Sequence, residues 1–438
     1  MWNRSSSALL KFVVATLFAI NMMLAVVLVR LSVGGLPVRL LFVAMLLAVV
    51  GACEPGLIVR AVKDQRNQIF LIAFLTFCAL LSSALVGDGF TYSIGQVFQI
   101  HIQAIIGLIV GYCVITIAGY KSTIRIFLLP IAISSIFAAL QFAGFSPAWS
   151  AYDALSALQP RDLADFEGFD AHYRALGLSY SPVHLGTQLC LAFAVIFAYR
   201  VSQVGRNAIL ATLDRRLIAT IVLTGFVAIC SGNRSPMLGL AVFFCLYLAS
   251  AKPMLGLFAG LFMAAAVLLG DSIIEAMNSS GLRTFNTENS SGEGRLVLSV
   301  YGSMLFFYRP FGYGLSFDSV AHYSEYWDRL KNYPNSQAIT IHALHNYFLM
   351  FINKHGVLAL FVVPYLLRAF SRNLVGVLAF VPYLVHIFYH NDGPLQADFM
   401  FWYIVPLVAQ NPAFYSHQDG AVTRTAVPRK PAHMTTLQ

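Results

Sequence analysis

The sequence predicts an all-α polytopic membrane protein with about 12 transmembrane helices and two large extracytoplasmic loops. Hydrophobic residues make up 58% of the 438 residues and charged residues only 11%, and the mean hydropathy is +0.72. An ordinary soluble domain is about 25% charged, so this chain lacks the charge to cover a water-facing surface. The composition excludes an ordinary cytoplasmic enzyme, a disordered protein and a nucleic-acid-binding domain.

Twelve apolar runs approach or reach the length of about 17–25 residues that a helix needs to cross a bilayer. The first run carries Arg4 and Lys11 at its start and no small-residue cleavage site at its end, so we expect a retained signal anchor. The runs cover residues 8–29, 38–55, 69–86, 96–118, 126–144, 186–202, 217–232, 235–251, 254–270, 346–367, 374–389 and 395–409.

The distribution of Lys and Arg predicts the orientation of these spans. With a cytoplasmic N-terminus, the short cytoplasmic loops hold twelve positive charges, whereas the short loops on the other side hold only Arg30, Arg39 and Arg234. This bias follows the positive-inside rule and places both termini in the cytoplasm. Most of the net charge of +9 is therefore a topology signal.

The same topology divides the chain into six parts, with both long loops outside the cytoplasm. Long loops of this kind usually carry function. The parts are residues 1–144 with five helices, loop 145–185, residues 186–270 with four helices, loop 271–345, residues 346–410 with three helices, and a disordered cytoplasmic tail at 411–438.

Two segments place arginines at the outer membrane boundary. Arg234 lies in Ser-Gly-Asn-Arg-Ser-Pro between two spans, where a charge needs a partner, a function or a snorkelling conformation. Arg295 precedes thirteen nearly all apolar residues, too few to span, which indicates an interfacial or buried helix. That run ends at Arg309 in the turn Arg-Pro-Phe-Gly-Tyr-Gly.

A histidine pair, His342 and His345, leads from the second long loop into a span, and on a helix the two would share one face. Three interpretations compete: metal ligands, a general base, or residues at a helix entrance that Asn346 helps to cap. The pair has no third ligand nearby, and no two of the six cysteines form a CxxC motif, so we expect no metal site.

Arg174 closes the first long loop in a segment that also supplies hydroxyl groups, a turn and His184. Together with Arg234, Arg295 and the histidine pair, it forms a set of cations expected at one membrane surface. Guanidinium groups bind phosphate bidentately and stay charged at any physiological pH. The set therefore suits a lipid-linked pyrophosphate, with a histidine placed to take a proton from an attacking hydroxyl.

At these residues the chain resembles the O-antigen ligase and Wzy-type polysaccharide polymerase superfamily. The resemblance covers about residues 170–370 in motif and the whole chain in topology. It is carried by Arg174 to Gly186, by Ser231-Gly-Asn-Arg-Ser235, by Arg295 with the turn Arg309 to Gly314, and by His345-Asn-Tyr-Phe-Leu continuing to Lys354-His-Gly-Val357.

The resemblance implies a GT-C-like, metal-independent glycosyltransferase of the bacterial inner membrane that needs no cofactor. Its donor would be an undecaprenyl-diphosphate-linked glycan, and its acceptor a glycan or lipid A-core, with other polysaccharide-assembly proteins as further partners. His345 would be the catalytic residue and His342 the second candidate. Arg234, Arg295, Arg174 and Arg309 would bind substrate.

Two alternatives stay open. Polymerase and ligase share a donor and differ in acceptor, which these motifs do not encode; we favour a polymerase that builds O-antigen or exopolysaccharide. A transporter or flippase also fits twelve spans, but its sites usually lie near the midplane. The polar residues within the spans are few, namely His101, Gln103, Gln141 and His386.

Overall fold

We analysed a computed structural model of the chain, which is mostly helical and built around apolar helices. It describes residues 4–34, 36–159, 174–204, 214–252, 254, 256–258, 260–261, 291–372, 374–396 and 398–409. The predicted disordered tail at 411–438 and most of the predicted span 254–270 lie outside these residues.

The described N-terminal part consists of helices and one short β-hairpin. Helix α1 is joined to α2 by the two-stranded antiparallel hairpin β1–β2, and a five-residue π-helical turn joins α5 to α6. The elements are α1 Arg4–Val27, β1 Ser32–Val33, β2 Leu36–Pro37, α2 Val38–Cys53, α3 Pro55–Asp64, α4 Arg66–Val86, α5 Phe90–Val97, α6 Gln103–Ala118, α7 Tyr120–Phe142 and α8 Ser146–Ser156.

The rest of the described chain holds the helices that surround the candidate site. Two 3₁₀ helices, Val320–Glu325 and Val357–Phe361, lie among them. The helices are α9 Pro182–Val204, α10 Arg215–Cys230, α11 Arg234–Ala251, α12 Ser291–Tyr308, α13 Trp327–Leu330, α14 Ala338–Ile341, α15 Tyr347–His355, α16 Val362–Arg372, α17 Leu374–Phe388 and α18 Phe399–Ala409.

Among the described residues, five helices are long and apolar enough to cross a membrane, or up to seven if each of two bent pairs is one span. The predicted span 38–55 stops at Cys53 and turns by 111° into α3, because Pro55 has no N–H to continue the helix. The predicted span 346–367 bends by 113° at Gly356, whose φ of +74° interrupts the helix. These results confirm an apolar helical membrane protein.

Close helix packing forms the interior. Gly111 of α6 faces the backbone of Tyr403 in α18, where an added Cβ would lie 2.4 Å from the Tyr403 carbonyl oxygen. Small residues that let helices approach closely are typical of membrane-embedded helices. Around this core, large apolar side chains such as Phe70 and Phe77 of α4 remain exposed, as expected of a lipid-facing surface.

Several helix ends that the charge bias predicts to lie outside the cytoplasm contact the long loops. On one face, which we call the loop face, residues 146–159, 174–181 and 291–346 meet the predicted outer helix ends: Gln159 donates to the Val27 carbonyl at 3.1 Å, and Leu315 N–H donates to Ser83 at 2.8 Å. On the opposite face Arg200 pairs with Asp214. The candidate site residues lie on the loop face.

The second long loop has a small core of its own on that face. Tyr301 and Leu305 of α12 pack with Tyr313, Leu330 and Ile339. This packing holds α12, including its N-terminal turns, in a fixed position beside the membrane helices. The predicted helix after Arg295 is thereby confirmed, with Arg295 in its second turn.

Candidate functional site

The turn between α10 and α11 presents Arg234. Helix α10 ends with Asn233 N–H donating to the Ala228 carbonyl at 3.1 Å and Gly232 N–H donating to the Ile229 carbonyl at 2.9 Å, with Gly232 at φ +62°. This is the Schellman arrangement that a glycine permits. Asn233 then caps α11 by accepting from Ser235 N–H, so the exposed Arg234 is the first residue of that helix.

Arg174 lies against the same turn. Its Nε donates to the Ser231 carbonyl at 3.3 Å, and Ala175 N–H donates to the Cys230 carbonyl at 3.1 Å. A Cβ on Gly232 would lie 3.4 Å from Arg174 Cγ. The structure thus brings together two arginines that are 60 residues apart in sequence, as the motif analysis predicts.

Arg295 reaches the same region from α12. Burial lowers the pKa of its guanidinium, and the nearby positive charge of Arg234 lowers it further. Its Nε is buried and has no hydrogen-bond partner among the described residues. A buried guanidinium N–H without an acceptor is costly unless a ligand supplies one.

His345 lies near Arg295 in the segment between α14 and α15, and His342 directly follows α14. The predicted shared helical face is wrong, because α14 ends at Ile341 and His342 is extended. Their rings are nevertheless 5.7 Å apart. Burial, then the charges of Arg295 and His342, lower the pKa of His345 to about 4, which keeps its imidazole neutral. Its Nδ1 is buried without a hydrogen-bond partner in the described part of the chain.

The interpretation of Asn346 as a helix cap is confirmed. Its side chain accepts from Phe348 N–H at 2.9 Å and Leu349 N–H at 3.1 Å. This cap fixes the start of α15. It therefore also fixes the position of the His345 backbone, which directly precedes the cap.

The structure adds two histidines of α17 and the loop after it, His386 and His390, which contact Ser235. Ser235 Oγ lies 2.8 Å from Asn233 Oδ1, 2.8 Å from His386 Nδ1 and 2.9 Å from His390 Nε2. Asn233 Nδ2 donates to the Pro182 carbonyl, so its Oδ1 is the acceptor and the Ser235 hydroxyl donates to it. Ser235 Oγ therefore joins both imidazoles and the Asn233 amide in one hydrogen-bonded group.

This hydrogen-bonded group connects α9, α11 and α17 at the site. Thr187 Oγ1 lies 3.1 Å from His386 Nε2. A Cβ on Gly186 would lie 2.7 Å from His386 Cε1, so only glycine permits the ring to lie against α9. His390 lies within range of the charges of Arg295 and Arg174, so it belongs to the same site.

Sequence reasoning treated His386 as an isolated polar residue within a span and did not single out His390. Their spacing of four residues, which on a helix would place both on one face, is the signal that was available. That signal did not show that Ser235, about 150 residues earlier, lies opposite them.

Arg309 does not join the cluster. It directly follows α12 and is 14 residues beyond Arg295, which corresponds to about 21 Å of helical rise. Its guanidinium lies 5.1 Å from the Tyr313 ring, in a turn whose Gly312 packs against the break at Gly356. The structure places this residue with the loop turn and not with the other arginines.

Among the described residues, no group of three or more His, Cys, Asp or Glu side chains is arranged to hold a metal ion. Comparison of the chain with protein-family models and with curated proteins found no match. The argument for function therefore depends on the chemistry of the site.

Proposed function

We propose that the protein is a membrane glycosyltransferase that moves a glycan from an undecaprenyl-diphosphate carrier to a sugar hydroxyl in the periplasm, and so polymerises a surface polysaccharide. One observation carries the proposal: Arg295 Nε and His345 Nδ1 are neighbouring polar groups, both buried and both without a partner among the described residues. The first can donate a hydrogen bond to an anion, and the second belongs to a neutral imidazole, which has one nitrogen able to accept a proton, as this reaction requires.

The arginines would bind the diphosphate. Arg295 and Arg234 act on each other electrostatically, and Arg174 lies over the turn that presents Arg234. Bringing these cations together is unfavourable, and a diphosphate would offset their repulsion. As the bond between the sugar carbon and the diphosphate oxygen breaks, the leaving group gains negative charge that the guanidinium groups stabilise.

His345 would act as the general base. It accepts the proton of the acceptor hydroxyl while that oxygen forms the new bond to the sugar carbon, and the diphosphate leaves with the electrons of the old bond. His345 is suited to this role because its lowered pKa leaves it neutral before substrate binds. His342, which is exposed, is the second candidate.

The positions of the polar span residues support an enzyme over a transporter. His386 contacts Ser235 on the loop face, and Gln141 donates to the Gly177 carbonyl at 2.9 Å on the same face. Two of the four polar residues expected within the spans thus belong to the loop face and not to a midplane site.

The test replaces His345 and Arg295 separately with alanine and follows the polysaccharide ladder on a gel. We expect each variant to lose the ladder at normal protein levels. The matched control is Arg329→Ala, which removes an exposed arginine from the same long loop and should leave the ladder intact. A normal ladder from either site variant would refute the proposal.

Deletion of the gene tests the choice of acceptor. A polymerase predicts that single repeat units remain on lipid A-core, whereas a ligase predicts that polymer is absent from lipid A-core. A normal glycan with a different defect would favour the transporter.

A further inference from the structure

A second group of cationic side chains, Arg30, Arg39 and His184, lies on the loop face and is not used by the reaction described above. Arg30 follows α1, Arg39 lies in the first turn of α2, and His184 lies in the first turn of α9. The charges of both arginines act on His184, so the three side chains are neighbours although they come from three helices.

Arg39 has the features of a residue that binds an anion. Its guanidinium lies 3.3 Å from the centroid of the Phe399 ring, and its Nε and Nη1 are buried without a hydrogen-bond partner among the described residues. No described carboxylate forms an ion pair with it. A buried charge without a counter-ion is unfavourable, and a bound anion would supply the missing partner.

Arg30 is held in a similar way. Its guanidinium lies 4.0 Å from the centroid of the Tyr180 ring, and its backbone N–H donates to the Gln159 side chain at 3.4 Å. A guanidinium stacked by its flat face keeps its in-plane N–H groups available, and these match a phosphate.

The setting of this group indicates a ligand that is attached to a lipid. The hairpin between Arg30 and Arg39 exposes Val33 and Leu36, which are 67% and 58% accessible. Exposed apolar residues beside cations are typical of a surface that lies at the lipid headgroups. A phosphate at the end of a lipid would reach the cations at this level.

The second group adjoins the proposed donor site. His386 lies within electrostatic range of both Arg295 and His184, so it is a common neighbour of the two sites. A glycan held at the second group would therefore have its sugars close to His345, which also lies beside Arg295.

We propose that Arg30, Arg39 and His184 form a second phosphate-binding site, which holds the lipid diphosphate that carries the acceptor glycan. This inference rests on the proposed function, because a polymerase joins two glycans that are both attached to lipid diphosphates. The headgroup of a bilayer phospholipid shares the phosphate chemistry and is the other source of a ligand for this site.

The experiment measures the binding of farnesyl diphosphate, a short soluble lipid diphosphate, to the full chain in phosphatidylcholine nanodiscs. We expect two equivalents for the wild type, and one each for Arg39→Gln and Arg295→Gln. The control Arg125→Gln removes an exposed arginine of α7 near its predicted cytoplasmic end and should retain two equivalents. Arg39→Lys keeps the charge without the planar fork, so it should fold normally and bind the second equivalent more weakly.

The two proposals fail in different ways. The second site would be overturned if Arg39→Gln still bound two equivalents of farnesyl diphosphate at full affinity. It would also be overturned if the wild type bound a single equivalent and Arg295→Gln removed it. One equivalent in Arg39→Gln but two in Arg295→Gln would support the second site and refute the donor site. A further measurement uses nanodiscs that also contain phosphatidylglycerol. If the wild type still binds two equivalents there, the second site holds the acceptor diphosphate. If the equivalent that depends on Arg39 is lost, phospholipid occupies the site and the acceptor assignment is refuted.

Discussion

Replacement of Ser235 with alanine tests whether one hydroxyl group holds the histidines of the site. The Ser235 side chain is buried, is hydrogen-bonded to His386 at 2.8 Å and to His390 at 2.9 Å, and donates to Asn233 at 2.8 Å. Alanine keeps the helix and removes all three hydrogen bonds.

The expected loss of stability follows from the groups that remain. Two buried imidazole nitrogens lose their hydrogen-bond partner, and each unsatisfied buried group costs about 1–3 kcal/mol. We therefore expect Ser235→Ala to lower the free energy of unfolding by about 2–6 kcal/mol. Asn233 is less affected because its Oδ1 still accepts from the backbone N–H of residue 235 at 3.4 Å.

The assay is thermal unfolding in detergent, followed with a dye that becomes fluorescent on reaction with thiols. It suits this chain because four of the free cysteines are buried, so unfolding exposes them: Cys78, Cys113, Cys190 and Cys230. The control is Ser135→Ala, which removes a serine whose hydroxyl donates only to the Ile131 carbonyl of its own helix. Equal melting temperatures for the two variants would refute the hydrogen-bond assignment around Ser235.

Three further predictions concern catalysis and folding. Since the pKa of His345 is lowered from 6.5 to about 4 and a base must be neutral, kcat/KM should stay constant as the pH falls from 7 until it nears 4; a decline centred near 6.5 would contradict this. Activity should survive EDTA because guanidinium groups supply the charge, and loss on chelation that a divalent ion restores would contradict it. Gly356→Ala should destabilise the fold by about 3 kcal/mol, since the new Cβ would lie 2.3 Å from the Phe311 carbonyl oxygen at a φ of +74°. The dye assay measures this loss against Gly225→Ala, whose Cβ meets nothing within 4 Å.

Several features of the candidate site could be predicted from local sequence. Arg295 at the start of an apolar helix and Asn346 as a helix cap depend on residues within one turn, and both are confirmed. The relation of His342 to His345 was predicted less well, because the chain leaves the helical conformation at His342 and the histidines approach each other in an extended segment.

The sequence by itself determined that the chain is an apolar helical membrane protein, because burial in lipid requires long apolar runs and few charges. The charge bias predicts an orientation of the helices in the membrane, since that bias depends on the loops and not on packing. Only the tertiary structure decided which polar side chains meet. Ser235 reaches His390 through close contacts between helices far apart in the chain, and Arg309 is removed from the cluster by the straight run of α12. Such contacts depend on the shape and packing of whole helices, which short motifs do not encode.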